Sequence, residues 1–272
     1  MEPLVLFHGF SGRGSSWDAV LTALMEQGLE QPVDGWSPDL PGHGSSSEVR
    51  PESFEATVRL LGKSIRKRYG RPVVLAGYSM GARLALGVAI LFPELIRQLV
   101  LMGVQPGIET TEDRRARADA DAELSERLVK DGLESFVSYW QGLPLFADQK
   151  ELSAEVLVKQ RQTRMSHQPE ALAWALRILS PGLMPDYRPR LKELAAVPVT
   201  LVTGDNDPSY QRIAEEIALL IPHARQESVS DCGHNPVLAR PEAVAAILAR
   251  TLDARTLEEG APAGQPGGPS HE

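Results

Sequence analysis

Through the first hundred residues, short apolar runs alternate with stretches whose apolar positions recur every third or fourth residue. Residues 4–7 (LVLF) read as a buried strand, after which Trp17, Val20, Leu21 and Leu24 follow at helical spacing. Residues 36–40 read as a second strand running into DLPGHGSS, where Pro and Gly bar regular structure. From Ser53, the positions Phe54, Val58, Leu61 and Ile65 predict a helix whose other face, with Lys63, Arg66, Lys67 and Arg68, is solvated. Val73, Val74 and Leu75 suit a strand buried on both faces, Ala85, Leu86, Val88 and Ala89 a packed helix, and residues 96–102 a further strand. This alternation predicts an α/β fold with a mostly parallel sheet and helices on both faces.

Between residues 104 and 190 the pattern changes to long helical stretches with few strand candidates and many arginines, before residues 197–202 restore a strand. A core sheet domain made of residues 1–103 and 191–254 is therefore expected, with a helical cap at 104–190 inserted over the active edge of the sheet. Residues 209–220 read as a helix, 226–229 as a short strand and 241–252 as a closing helix opened by Pro241. Residues 255–272 are rich in Gly and Pro and hold too little apolar surface to offset their ordering entropy, so disorder is expected there.

At 272 residues and 42% hydrophobic content, the chain can bury one sizeable core. Its net charge of −8 argues against nucleic-acid and membrane-surface partners, and an anionic ligand would need a local basic site. Cys232 is the only cysteine, which excludes an internal disulfide and a multi-cysteine zinc site. The opening MEPLVLFHGF lacks the marks of a signal peptide and no apolar run reaches membrane-spanning length, so a cytoplasmic location is expected.

Ser79 stands at the join of strand and helix, flanked by Gly77 and Gly81 in a G-x-S-x-G pattern. In such an elbow the serine takes a strained conformation that lifts its hydroxyl above the sheet, and the small neighbours let strand and helix approach closely. A serine hydroxyl needs an adjacent base, an imidazole held by a carboxylate. Of the six histidines, His234 in SDCGHNP lies between the last short strand and the last helix, where the chain returns to the elbow. His8 at a strand end and His43 in DLPGHG suit structural hydrogen bonding, while His167 falls in the cap, His223 in a polar turn and His271 in the tail. The acid is expected after a late strand, in GDNDP. There Asp207, just before Pro208 and a helix, is preferred to Asp205, which suits bracing of the turn, and Asp231 is a third candidate. Oxyanion donors are expected from the residue after the nucleophile, Met80, and from Phe10 in the small-residue loop HGFSG.

Together HGFSG, DLPGHG, GYSMGAR, GDND and the final GHN resemble the α/β-hydrolase superfamily over nearly the whole sheet domain. In the cap, SFVSYWQGLPLF and RMSHQPEAL are similar to the 2-succinyl-6-hydroxy-2,4-cyclohexadiene-1-carboxylate synthases of menaquinone biosynthesis. That resemblance implies an elimination, in which pyruvate leaves a cyclohexene ring after a proton is removed beside a ketone, with no metal or organic cofactor. It also implies an anionic small-molecule substrate held by Arg83, Arg117 and Arg164, with Trp140 and Tyr78 as further pocket residues. By spacing alone, Arg83 follows Ser79 by one helical turn and can face the same pocket. The cap arginines and Trp140 equally suit salt bridges and core packing. A serine hydrolase acting on an ester, thioester or carbon–carbon bond is the second reading, since one fold and triad serve many reactions. Ala82 departs from the family's usual second glycine, and Ser180, Met184 and Arg188 depart from its GTGxQPxxW segment, which bears on the last turn of the cap. Nothing in the sequence specifies an oligomeric state.

Overall fold

The computed structural model describes residues 1–29 and 31–259, with side chains described as far as Asp253. Six strands, β1 (Glu2–Phe7), β2 (Val33–Trp36), β3 (Val73–Tyr78), β4 (Ile96–Met102), β5 (Val199–Gly204) and β6 (Arg225–Val229), form one sheet in the order β2-β1-β3-β4-β5-β6. Every neighbouring pair is parallel. The helices are α1 (Asp18–Glu26), α2 (Phe54–Tyr69), α3 (Met80–Leu91), α4 (Thr111–Asp131), α5 (Leu133–Gln141), α6 (Ala154–Met165), α7 (Pro169–Ile178), α8 (Pro208–Leu220), α9 (Pro236–Ala239) and α10 (Pro241–Glu259).

The central strands β1, β3, β4 and β5 are largely apolar because both faces of the sheet are buried there, whereas the edge strands β2 (VDGW) and β6 (RQESV) are not. Val5 and Phe7 of β1 pack in one core with Val58 and Ile65 of α2, Leu84 and Val88 of α3 and Ile217 of α8. Their alternates Leu4 and Leu6 pack in the other, with Val20 and Leu24 of α1 and Val244 and Leu248 of α10. In α2 the ends follow local chemistry. The Ser53 side chain accepts the Ala56 N–H at the start, and Gly70 closes the helix at φ 62°, a conformation in which a side chain would be strained.

Three sequence expectations shift. The second strand ends at Trp36, where residues 36–40 had been expected to form it. Beyond that point the backbone turns to side-chain partners: Leu40 N–H donates to His8 Nε2 at 2.9 Å, while Asp39 takes Gly14 N–H at 2.8 Å and Ser45 N–H at 2.7 Å. The fifth strand begins at Val199, two residues after the expected start. The closing helix runs to Glu259, so residues 255–259, expected to be disordered, continue it. Residues 260–272 of the expected tail lie outside the described residues.

Between β4 and β5 the described regular elements are all helical. This insertion has its own small core of Leu128, Phe136, Val137, Leu172, Ala173 and Leu176, with Phe10 and Trp140 packed against it. The three residues that depart from the family pattern build its last turn. Ser180 Oγ donates to Asp121 Oδ2 at 2.6 Å and accepts Gly182 N–H at 3.0 Å. Met184 Sδ lies 3.8 Å from Arg83 Nη1, and Arg188 Nη1 donates to Gly107 O and Asp186 Oδ1, each at 2.9 Å. Among the described residues no helix is long and apolar enough to cross a membrane.

Candidate active site

Strand β3 delivers Ser79 at its C-terminal end, and the backbone turns there at φ 52°, ψ −111° before α3 begins. A non-glycine residue at positive φ is strained and persists only where its surroundings hold it. Here Ser79 N–H donates to Met102 O at 2.8 Å, and Ser79 O accepts Arg83 N–H at 3.1 Å. The flanking glycines are required by space: a Cβ on Gly77 would lie 2.5 Å from Gly81 O, and one on Gly81 would collide with Phe7 O.

His234 reaches this serine from the loop after β6. Its Nε2 stands 3.1 Å from Ser79 Oγ and its Nδ1 2.9 Å from Asp207 Oδ2. A carboxylate can only accept, so Nδ1 carries the hydrogen and Nε2 turns its lone pair to the serine hydroxyl. Asp207 is buried at the N-cap of α8, where its Oδ1 takes Tyr210 N–H at 3.2 Å. Asp205 is exposed and does not touch the ring; its Oδ1 accepts Cys232 N–H at 3.1 Å, bracing the histidine loop. Backbone N–H groups, that of Cys232 first, hold its carboxyl below the usual range. Asp231 is exposed at a left-handed turn with φ 50°. The pattern of residues had preferred Asp207, and it is Asp207 that meets the imidazole.

Three contacts around the ring had no signal in the sequence. Tyr210 packs 4.3 Å from His234 between ring centroids. Asp148 of the cap accepts Gly233 N–H at 2.8 Å across 85 positions of chain. Gly103 leaves room for the imidazole, since a Cβ there would lie 2.8 Å from His234 Cε1.

The loop after β1 faces the same serine. Met80 opens α3, so its N–H has no intrahelical acceptor. Phe10 precedes Ser11, another non-glycine residue at positive φ, 60°. Gly9 is small because the Tyr78 ring occupies the place of its Cβ, 2.6 Å from Tyr78 Cε1. His8 and His43 have the structural roles expected of them. His8 Nδ1–H donates to Gly9 O at 2.8 Å, and His43 Nδ1–H donates to Pro41 O at 3.0 Å while its Nε2 accepts Ser11 N–H at 3.2 Å. Burial lowers the pKa of His8 to about 4 and puts that of His43 well below the usual range.

A cavity of about 310 Å³ opens on Ser79 and is lined by Phe10, Tyr78, Trp140, Phe146 and Arg164. Its walls are aromatic: Trp140 lies 4.9 Å from Phe10 and stacks on Phe136 at 5.6 Å between centroids. Burial holds the Tyr78 hydroxyl well above the usual phenol range, so it stays protonated and able to donate. Arg164 is only 5% exposed, its guanidinium sits 5.5 Å from the Phe146 centroid, and burial brings its pKa to about 10. Its Nη1 has no hydrogen-bond partner and the guanidinium no ion pair among the described residues.

The other two arginines are placed differently. Arg83 is also buried, with its pKa brought to about 10 by burial, and its Nη1 donates to Leu179 O at 2.7 Å, away from the lining of this cavity. Arg117 is 44% exposed along its side chain and pairs with Asp121 at 2.8 Å. Both act on Tyr210, which packs against His234, opposing the rise that burial imposes on its phenol. Among the described residues no group of three or more His, Cys, Asp or Glu is arranged to hold a metal ion.

The profile of the alpha/beta hydrolase family matches residues 4–247. Among curated relatives, 2-succinyl-6-hydroxy-2,4-cyclohexadiene-1-carboxylate synthase of Enterobacter sp. (strain 638) is 32% identical over 93% of this chain and 92% of its own. The protein of that name from Klebsiella pneumoniae subsp. pneumoniae is 31% identical, over 92% and 93%. Among solved structures, MenH from S. aureus superposes with a TM-score of 0.85 at 32% identity, covering 94% of each chain. A thermophilic esterase from Thermogutta terrifontis, solved with malate bound, follows at 0.78 and 25% identity, covering 93% of this chain and 90% of that one. With its elbow, its parallel sheet and these relatives, the chain belongs to the alpha/beta hydrolase family.

Proposed function

We propose that this chain is a cytoplasmic lyase that eliminates pyruvate from 2-succinyl-5-enolpyruvyl-6-hydroxy-3-cyclohexene-1-carboxylate, the reaction of menaquinone biosynthesis suggested by its synthase relatives. His234 takes the Ser79 proton, and Ser79 Oγ removes the ring proton beside the succinyl ketone. Negative charge then develops on the ketone oxygen, where the N–H groups of Phe10 and Met80 stabilise it. The electron pair passes through the ring double bond and breaks the bond to the enolpyruvyl oxygen. Pyruvate leaves as its enolate, which takes up a proton. No water enters the balance. Asp207 holds the imidazole in the tautomer that can accept a proton, and stabilises the imidazolium once formed.

One observation carries this reading over that of a general serine hydrolase: Arg164 is a buried guanidinium without a counter-ion in the cavity that opens on Ser79. An unpaired buried charge is costly, and a substrate carboxylate would supply the missing partner. Arg83 and Arg117 are proposed to meet further substrate carboxylates, with Tyr78 and Trp140 bounding the ring. The test is pyruvate release from the enolpyruvyl substrate, followed by coupled lactate dehydrogenase, beside a panel of p-nitrophenyl esters. Rapid pyruvate release with feeble esterase activity supports the lyase; the reverse ranking would establish the hydrolase.

A further inference from the structure

Three buried histidines meet beneath the loop that carries the Phe10 N–H. His8 and His43 have ring centroids 5.0 Å apart, and His43 and His167 5.3 Å apart. Each imidazole both accepts a backbone N–H and donates to a backbone carbonyl, the pattern of a neutral ring. For His167, Nδ1 accepts Gly44 N–H at 3.3 Å and Nε2–H donates to Ser11 O at 3.0 Å. His43 takes Ser11 N–H from the other side. Both backbone polar groups of the strained Ser11 are thus held by histidines, one from the sheet domain and one from the cap.

His167 lies in the short link between α6 and α7, three residues after Arg164. The last turn of α6 therefore presents a cation to the cavity and the link after it a clamp on the oxyanion loop. The Phe10 N–H belongs to the Gly9–Phe10 peptide, whose carbonyl is held by His8; fixing Ser11 N–H and Ser11 O anchors the chain on the other side of Phe10 and so limits the Phe10 torsions that aim this donor. A misaimed donor loses most of its worth, because charge stabilisation depends on donors preorganised about the developing oxyanion.

We propose that His167 is a positioning residue, aligning the Phe10 N–H for the transition state by clamping Ser11 O and tying that loop to the cap. This rests on the assignment of Phe10 and Ser79 above. The test compares His167→Ala, His167→Asn and His167→Gln for kcat and KM on the enolpyruvyl substrate, with circular dichroism and thermal melts on each. A glutamine amide can place an N–H where Nε2–H stood, whereas asparagine reaches only the Gly44 side. His167→Ala and His167→Asn are expected to lower kcat about 10- to 100-fold with KM changed less than about 3-fold, and His167→Gln to restore kcat to within about 3-fold. Unchanged kcat in His167→Ala, or equal kcat in the asparagine and glutamine variants, would overturn the proposal. If the alanine variant does not fold, the asparagine–glutamine comparison decides. Ser79→Ala, run alongside, separates the two levels: pyruvate release that survives it defeats the proposed mechanism, whereas its loss with full activity in His167→Ala defeats only the role of His167.

Discussion

Around Ser79 the polar groups find their partners inside the protein: Oγ on His234, Nδ1 on Asp207, and the second carboxylate oxygen on the first turn of α8. Around Arg164 the reverse holds, for its buried guanidinium lies against the Phe146 ring with no ion pair among the described residues. The sheet-borne half of the site is complete without ligand, as a proton relay must be if geometry is to be ready before substrate arrives. Under the proposed function a substrate carboxylate completes the cap-borne half, so that the sheet would set the reaction type and the cap the choice of substrate.

The largest effects should come from the complete half. Ser79→Ala and His234→Ala are each expected to lower pyruvate release about 10⁴-fold or more with folding intact, and Asp207→Asn somewhat less. Asp205→Asn should stay within about 10-fold of wild type, since that carboxylate braces the loop and does not touch the ring. A larger loss from Asp205→Asn than from Asp207→Asn, measured as steady-state kcat/KM, would reverse the two assignments.

Next comes the incomplete half. Arg164→Ala should cost roughly 2 to 4 kcal/mol of transition-state stabilisation, about 30- to 1000-fold in kcat/KM on the enolpyruvyl substrate. Hydrolysis of a neutral p-nitrophenyl ester by the same variant should change by less than about 3-fold. Equal losses on both substrates would mean that Arg164 holds the cap together and does not read charge.

Arg83 and Arg117 sharpen the comparison further. Arg83 supports the cap through Leu179 O, so Arg83→Ala should lower both activity and melting temperature. Arg117 is part-exposed and already neutralised by Asp121, and Arg117→Ala should reduce kcat/KM by less than about 10-fold. An Arg117→Ala loss exceeding that of Arg164→Ala would move the main carboxylate site from Arg164 to Arg117.

The last test concerns stability and not turnover, through pH. His8, His43 and His167 have pKa values lowered by burial, with Asp39 and Arg13 as nearby charges acting on His8 and His167, and His8 and His167 acting on His43. Below the ordinary imidazole value of about 6.5, the unfolded chain takes up protons that the folded chain refuses, so stability is full above it and falls as pH drops. For His8, whose folded pKa is about 4, the loss on going from pH 7 to below that value is roughly 3 kcal/mol. Urea titrations between pH 7 and 5 should show the midpoint falling, and less so in His167→Gln. A midpoint that rises with acid would contradict the neutral assignment of these rings.

Much was legible from local pattern. The burial of β1 and β3 on both faces made their sequences continuously apolar, and the Gly77–Ser79–Gly81 spacing marked a turn that only small neighbours allow. The order of serine, acid and histidine followed, because Ser79 and Asp207 come just after the apolar strands β3 and β5, and His234 stands in the loop between the short strand β6 and the closing helices. Strand ends were less legible: residues 36–40 were expected as strand, yet past Trp36 the chain reads Ser-Pro-Asp-Leu, its backbone turns to His8 and its loop is held through Asp39. That exchange depends on partners about thirty positions away.

Tertiary structure alone decided how charges and rings pair. A cap arginine reads the same in sequence whether it is buried without a counter-ion, like Arg164, or bound to a carboxylate one turn on, like Arg117. The identity of a residue sets its charge, but its desolvation and its counter-ion come from what the fold packs against it. His167 and Asp148 lie far along the chain from Ser11 and Gly233, and nothing local marks those pairs. The sequence by itself determined the sheet, the elbow and the chemistry available at its edge, because strand period and turn sterics are short-range. Which cations face the substrate, and which histidines hold the loop beside it, depended on long-range packing of the cap.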